Sequence, residues 1–357
     1  MLDSSHKKAI ILCVLKVLEQ HSDASHPLTQ EKIGELIKSE FNFDEAPDRK
    51  TIASYLKILK EGFGYRILSG KVKKQKVSEL DADEYQVGSY LDKTVFDNME
   101  LKLLVSNIAT AKFLSPEQAK EIIADIMGTG SRYSDAAKRV GLIDNYIRTN
   151  NDEMFLNLEI IDKAIKQNNQ IKFAYNDLDI NGKLVPRIIA KADDGKYRFH
   201  PYTTLCYNGN FYLIGSTFDY NQLRHYRIDR ITNMEIIKES KRTPLSKIEE
   251  CKEKGYIDLS LYAREHFNMW NGRVTPIIFK ADKSIMNYIW DSFGEYANIR
   301  EVPNEPDKVI FKIMTAIDGA KVFAKQFCTM CEVLEPVWLR DELRQEFKAV
   351  AEKYNDK

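Results

Sequence analysis

The chain is predicted to be a multidomain α+β protein on three observations. Apolar residues recur at helical spacing from Ile11 to Phe63. They alternate at strand spacing, between turn residues, from Ile171 to Ile237. From Arg273 onward, strand-like and helix-like stretches interleave. A length of 357 residues leaves room for two or three cores. With 43% hydrophobic and 30% charged residues, the composition excludes a disordered, collagen-like or small disulfide-stapled chain. The expected segments are 1–78, 79–150, 151–240 and 241–357.

The first segment reads as three short helices and a hairpin. Ile11, Val14, Leu15 and Leu18 share one helical face, and Thr29 can cap a second helix striped by Ile33, Leu36 and Ile37. After Pro47, a third helix places Ile52, Tyr55, Leu56, Leu59 and Phe63 inward. Lys50, Ser54 and Lys57 face the other way, with Arg49 at the helix start. Gly62 and Gly64 end it, and YRILSGKVKKQKV follows as an extended stretch with a turn expected at Ser69-Gly70. Three helices and a basic hairpin are the layout of a winged helix-turn-helix, whose third helix enters the major groove while the wing lies on phosphates. In that reading Arg49, Lys50, Thr51, Ser54 and Lys57 are the groove contacts, and Lys71, Lys73, Lys74 and Lys76 touch only the backbone. The plainer alternative is a small helical domain with a basic surface.

The zero net charge (53 basic, 53 acidic residues) is a cancellation. Arg49 to Lys76 carries a local net of +8, and Glu79 to Glu100 a net of −6. Either block alone is often a solvated face. Together they suggest a polyanion-binding module followed by a connector that stays off the polyanion. The connector, 79–150, reads as helical, with Leu101, Leu104, Val105 and Ile108 on one face and a further helix after Ser115-Pro116. It serves either as a dimerisation arm or as packing for the next domain.

The central segment begins with a helix around Leu158, Ile161 and Ile165 and continues as about five short strands, with turns at Gly182 and Asn208-Gly209. This suggests a small SH3-like or Sm-like barrel. In the last segment the order strand, helix, strand, strand, helix, strand is that of a ferredoxin-like βαββαβ domain. A final helix stripes Leu339, Leu343, Phe347, Val350 and Tyr354.

Three spaced blocks carry a resemblance. Arg198, His200, Pro201 and Tyr202 come first, then Phe211-Tyr212-Leu213, then Arg224-His225-Tyr226-Arg227-Ile228-Asp229-Arg230-Ile231. In this order they resemble the WYL domain, with Phe for Trp in the signature triplet. Arg49-Lys50-Thr51-Ile52, with Leu56, Leu59 and Gly64-Tyr65, resembles the recognition segment of bacterial regulators carrying that domain. Ser54 and Tyr55 stand where those regulators commonly have Arg-Asp. Glu332-Val333-Leu334-Glu335-Pro336 resembles their C-terminal extension, an interaction or dimer-contact domain. The resemblance implies a cytoplasmic, homodimeric transcriptional regulator whose barrel senses a nucleic-acid or nucleotide effector.

Candidate effector contacts are Arg198, His200, Tyr202, Tyr212, Arg224, Arg227 and Arg230, because guanidinium planes and tyrosines suit phosphates and bases. Strand alternation puts Arg224, Tyr226 and Arg230 on one face and His225, Arg227 and Asp229 on the other. Between Lys196 and Ile231 the acids are Asp219 and Asp229, and any of these arginines, Arg230 beside Asp229 foremost and Arg227 next, can instead be a surface or Asp-paired structural residue, while Tyr212 can equally be core.

No enzyme is expected. Cys328-x-x-Cys331 lacks the second half of a zinc site, and neither the six histidines nor any glycine-rich loop forms a catalytic or metal-binding pattern. No cofactor or metal is expected. Five scattered cysteines and no apolar run of membrane-spanning length fit a reduced, cytoplasmic, non-membrane protein. The alternative function is an accessory nucleic-acid-binding factor that modulates a partner enzyme or defence system without an operator of its own.

Overall fold

Helix α1 (Ile10–His21) is apolar around much of its circumference, so packing against its neighbours chooses the buried face. The computed structural model of the chain describes residues 9–74, 84–92, 96–130, 149, 151–187, 195–217 and 222–355. They divide into two units, Met1–Arg148 and Thr149–Lys357. In α1, Cys13, Val14, Val17 and Leu18 are buried, while Ile11 and Leu15 lie at the margin of the same core. The face is thus turned slightly from the expected stripe.

Helix α2 (Gln30–Glu40) starts at Thr29, whose side chain accepts a hydrogen bond from the Lys32 N–H. Helix α3 (Arg49–Lys57) starts at Asp48, which accepts from the Thr51 N–H (2.9 Å) and hydroxyl (2.7 Å). Ile33, Ile37 and Ile52 close the core against Val14 and Leu18. Helix α3 then gives way to a π turn, Ile58–Gly62, in which the Phe63 N–H reaches Ile58 O (3.2 Å). The wider turn rotates the next residue out of register, so Phe63 is 69% exposed instead of lying on the apolar face.

Strand β1 (Ile67–Lys73) runs straight through Ser69-Gly70, where the sequence predicts a turn, and pairs antiparallel with β2 (Tyr85–Leu91). The expected boundary at residue 78 therefore falls between two strands of one ribbon, and 85–91 is strand, not helix. The cause is long-range. Leu28 and Ser89 exchange two backbone hydrogen bonds (2.8 and 2.7 Å), adding an edge to the ribbon. A Cβ on Gly88 would come within 2.6 Å of Val72 Cγ2 and 3.1 Å of the Leu28 backbone, so glycine permits this approach. The Ser22 hydroxyl donates to Leu18 O (2.7 Å) and accepts from the Leu91 N–H (3.1 Å), tying α1 to the ribbon. Helices α4 (Asn98–Ala109) and α5 (Pro116–Gly128) each open with a capping box, Asp97/Glu100 and Ser115/Gln118. The rest of the stretch expected to be helical, 131–148, lies outside the described residues.

The second unit begins with α6 (Met154–Gln167), which ends at Asn168 in the left-handed region. Strands β3 (Asn169–Leu178), β4 (Leu184–Pro186), β5 (Tyr197–Tyr207), β6 (Asn210–Thr217), β7 (Arg224–Arg227) and β8 (Ile231–Lys241) follow. The sheet order is β4-β3-β5-β6-β7, with β8 also on β3. Asn208 and Gly209, both with positive φ, form the tight β5–β6 turn. Register shifts in β3/β8 and at Pro201 in β5 curl the sheet into a half-barrel. A Cβ on Gly215 would lie 2.2 Å from His200 O and 2.3 Å from Phe199 Cε1, so only glycine lets β6 cross there. The stretch from Leu223 to Ile237, expected as one strand, breaks at a 3₁₀ turn, Ile228–Arg230.

Helix α7 (Leu259–Glu265) leads to β9 (Val274–Asp282), α8 (Met286–Phe293), β10 (Asn298–Val302), β11 (Glu305–Ala316), α9 (Ile317–Gln326) and β12 (Cys331–Glu335). The four strands form an antiparallel sheet in the order β10-β11-β9-β12. Phe279, Phe311 and Phe323 are fully buried between this sheet and its helices. In α10 (Val337–Asn355), Leu339 and Leu343 are buried, but Val350 and Tyr354 are exposed beyond the end of the core. The protein is therefore a mixed helix-and-strand molecule with several sheets.

Candidate functional site

Two surfaces gather the candidate residues, one on each unit. On the first unit, Arg49, Lys50, Ser54 and Lys57 are all exposed on α3. Thr51 is half-buried and its hydroxyl is taken by Asp48. Arg49 pairs with Glu31, and Lys57 lies 3.8 Å from Glu61. On the ribbon, cross-strand register sets Lys71 opposite Val87 and Lys73 opposite Tyr85, so these four share one exposed face. Lys71 Nζ stands 5.9 Å from the Tyr85 ring centroid. Lys74 pairs with Glu84 (2.7 Å) and Arg66 with Asp92 (2.9 Å), so part of the acidic block folds back onto the basic one. All these pairs are solvent-exposed and weak enough to exchange for phosphates. Lys76 lies outside the described residues.

In the second unit the half-barrel holds an aromatic cluster. The Tyr226 ring lies 4.9 to 5.5 Å, centroid to centroid, from Tyr175, Phe199, Tyr197 and Phe173. The Arg187 guanidinium sits 5.3 Å over the Tyr175 ring and grips Asp177 through two hydrogen bonds (2.9 and 2.5 Å). Burial pushes the Tyr226 hydroxyl up to about 12, reinforced by Tyr197 and opposed by Arg224. Burial likewise raises Tyr175, against the pull of Arg230. Arg187, by its hydrogen bond, holds the Asp177 carboxyl below the usual carboxylate range. Ring faces and phenol hydroxyls thus gather beside Arg187, with the charges of Arg224 and Arg230 acting on Tyr226 and Tyr175, and such a set can stack a base and neutralise a phosphate.

The structure splits the expected effector residues. Arg224 shares the strand face of Tyr226 on β7, and Arg230 precedes Ile231, which pairs with Tyr175. Arg198 is set apart: Tyr197 and Phe199 point into the cluster, so the residue between them faces away, opposite Lys172. His200 is buried, and its Nδ1 accepts from the Thr243 N–H (2.8 Å). Tyr202 is buried and donates to Thr243 O (2.9 Å). Tyr212 is buried in a core with Tyr202 and Ile214. Arg227 is bound to the buried Asp229 by two hydrogen bonds (3.0 and 2.6 Å), the pairing expected foremost of Arg230. The 3₁₀ turn produces this, because strand alternation stops at Arg227. Asp219 lies outside the described residues. Tyr175, Tyr197, Arg187 and Asp177 are additions; the alternation of Phe173 with Tyr175, and of Tyr197 with Phe199, is the sequence signal that points to them.

On the other side of β7, His225 locks the half-barrel to α7. Its Nε2 donates to Met269 O (2.6 Å), leaving Nδ1 to accept from the Tyr262 hydroxyl (2.8 Å). Burial pushes the imidazole down from 6.5 to about 4. A depressed histidine leaves full stability above pH 6.5 and loses it as the unfolded chain alone takes up the proton, down to pH 4. Urea unfolding of the native chain should therefore weaken more steeply than that of His225→Gln between these pH values, by about 3 kcal/mol in total.

Cys331 is buried in β12, which pushes its thiol up to about 12. Among the described residues no group of three or more His, Cys, Asp or Glu side chains is placed to hold a metal ion. No helix among them is long and apolar enough to cross a membrane.

Residues 157–236 match the WYL domain. The match covers β3 and β5–β7, and so the whole aromatic cluster together with Arg187, Arg224 and Arg230. No curated protein matches the chain. Solved structures similar to it include Proteasome accessory factor B/C (PafBC) of Arthrobacter aurescens, at 15% identity and a TM-score of 0.28. That alignment covers 99% of this chain and 49% of the other, so the chain spans about half the length of PafBC. A CRISPR Cas-related protein aligns at 13% identity and a TM-score of 0.35, over 99% of this chain and 87% of that one.

Proposed function

We propose that the protein is a non-enzymatic, cytoplasmic transcriptional regulator. Helices α1–α3 and the β1/β2 ribbon act as a winged helix-turn-helix on duplex DNA, in a homodimer that reads a two-fold site. The WYL domain takes a nucleic-acid or nucleotide effector at the Tyr175–Tyr197–Tyr226 cluster and biases DNA affinity, while the βαββαβ segment serves contacts between copies. The observation that carries the DNA reading is the exposed polar face of α3 beside a lysine-bearing ribbon on one folded unit. The effector reading is supported by a largely half-buried tyrosine cluster inside the WYL match, with Arg187 over the Tyr175 ring, Arg224 two residues from Tyr226 on β7, and Arg230 next to Ile231, the cross-strand partner of Tyr175. Fluorescence anisotropy on labelled genomic duplexes tests the DNA reading. Binding that tightens as salt is lowered, and that weakens on substituting Lys50 and Lys57, is expected; no binding at low salt contradicts it.

A further inference from the structure

The Ile228–Arg230 turn is irregular, yet the carbonyls that leave it are held one after another by buried asparagines. Asn151 Nδ2 donates to Asp229 O (3.0 Å) and Ile231 O (2.7 Å). Asn176 Nδ2 donates to Arg230 O (2.9 Å) and Thr232 Oγ1 (2.9 Å). Asn157 Nδ2 adds a second donor to Ile231 O (2.8 Å). All three side chains are buried. They arrive from two directions, Asn151 and Asn157 from the start of α6 and Asn176 from β3.

Stability alone does not account for this set. The Oδ1 of Asn157 is buried and has no hydrogen-bond partner among the described residues. A leucine of similar size would avoid that penalty, and Ile231 O would still be bonded by Asn151. Buried amides of this kind serve geometry, since donors arriving from two elements together fix where the three carbonyls stand. The geometry in question is that of Arg230, whose own carbonyl is held by Asn176 and whose neighbour Ile231 is the cross-strand partner of Tyr175.

We infer that Asn151, Asn157 and Asn176 are positioning residues: they preset the Ile228–Arg230 turn before ligand arrives, so that a phosphate-bearing ligand is bound without the penalty of ordering it. The inference deepens the effector reading above and rests on it. Preorganisation of this kind acts on affinity by removing a loss that a loose turn would incur on binding.

The test is anisotropy of a short fluorescein-labelled oligothymidylate with the full chain. Asn176→Ala should weaken binding about tenfold, equivalent to roughly 1.4 kcal/mol. In an Arg230→Gln background the same substitution should add no further loss, because it acts through Arg230; a merely structural role would subtract alike in both backgrounds. Gln170→Ala, which removes a comparable bond to Lys241 O (2.9 Å) elsewhere on β3, should leave affinity unchanged. Asn157→Leu should keep or raise Tm and yet weaken binding, and it decides the matter if Asn176→Ala does not fold. Oligothymidylate binding as native by Asn176→Ala and Asn157→Leu, with Arg230→Gln weakened, overturns the clamp alone. So does a loss in Gln170→Ala equal to that in Asn176→Ala. Native binding by both Arg224→Gln and Arg230→Gln overturns the effector reading and the clamp with it.

Discussion

Replacing Lys71, Lys73 and Lys74 together by alanine is expected to lower duplex affinity about a hundredfold at low salt and to flatten the slope of log affinity against log salt by about 3. In the proposed complex each lysine on the ribbon neutralises one phosphate, and each neutralised phosphate releases roughly one condensed counterion, so three substitutions should remove three counterions' worth of salt dependence. The loss should be alike for every sequence if, as proposed, the ribbon meets backbone only. Substitutions at Lys50 and Ser54, on the exposed face of α3, should instead shift sequence preference with a smaller change in slope. The ribbon's acids do not alter the direction: Glu84 holds Lys74 from an exposed position, and such a pair contributes little. Salt titrations by anisotropy separate the two kinds of contact. Equal slopes for the native chain and the triple variant would remove the ribbon from the interface.

Arg227→Ala is expected to destabilise the second unit by about 3 to 5 kcal/mol, the range found when one partner of a buried ion pair is removed. Asp229 is almost wholly buried, and its two carboxylate oxygens are both occupied by Arg227. Burial works against the Arg227 charge, but the Asp229 hydrogen bonds and charge outweigh it and raise the guanidinium's pKa. Taking Arg227 away leaves an uncompensated carboxylate in the interior. Changing Asp229 to Asn at the same time should recover most of the loss, since no buried charge then remains. Urea unfolding of the single and double variants measures both. A loss below about 1 kcal/mol for Arg227→Ala would place the pair among weak surface bridges. The same reasoning makes Arg224 and Arg230 the better probes of ligand binding, as Arg224 shares the strand face of Tyr226 and Arg230 adjoins the partner of Tyr175, while Arg227 is committed to the buried acid.

Local signals in the sequence carry the parts of the fold that are local. Thr29 caps α2 as its position suggests, Asn208-Gly209 makes its turn, and the strands and helices from Val274 to Glu335 form where alternation and helical spacing place them. Where distant residues decide, the sequence is silent. The β1/β2 register is fixed by Leu28 bridging Ser89, so Ser69-Gly70 is strand despite its turn chemistry. A π turn sends Phe63 outward, and a 3₁₀ turn ends the alternation predicted from Arg224 to Arg230.

The candidate site divides in the same way. Arg224, Arg230 and Tyr226 are visible as one dense stretch. Tyr175, Tyr197 and Arg187 join them only because the half-barrel curls three strands together. His200, Tyr202 and Tyr212 have the right chemistry for a ligand, but the fold uses them inside, against Thr243 and the core behind β6.

The most direct measurement of the central claim is duplex affinity of the full chain with and without a saturating single-stranded oligonucleotide, for the native protein and for Arg224→Gln/Arg230→Gln. The expected result is a shift of about fivefold or more in the native chain, the lower range of coupling between two linked sites, and no shift in the double variant. An unchanged duplex affinity in the native chain, or a shift that persists without the two arginines, would contradict a regulator whose WYL domain senses its effector at the tyrosine cluster.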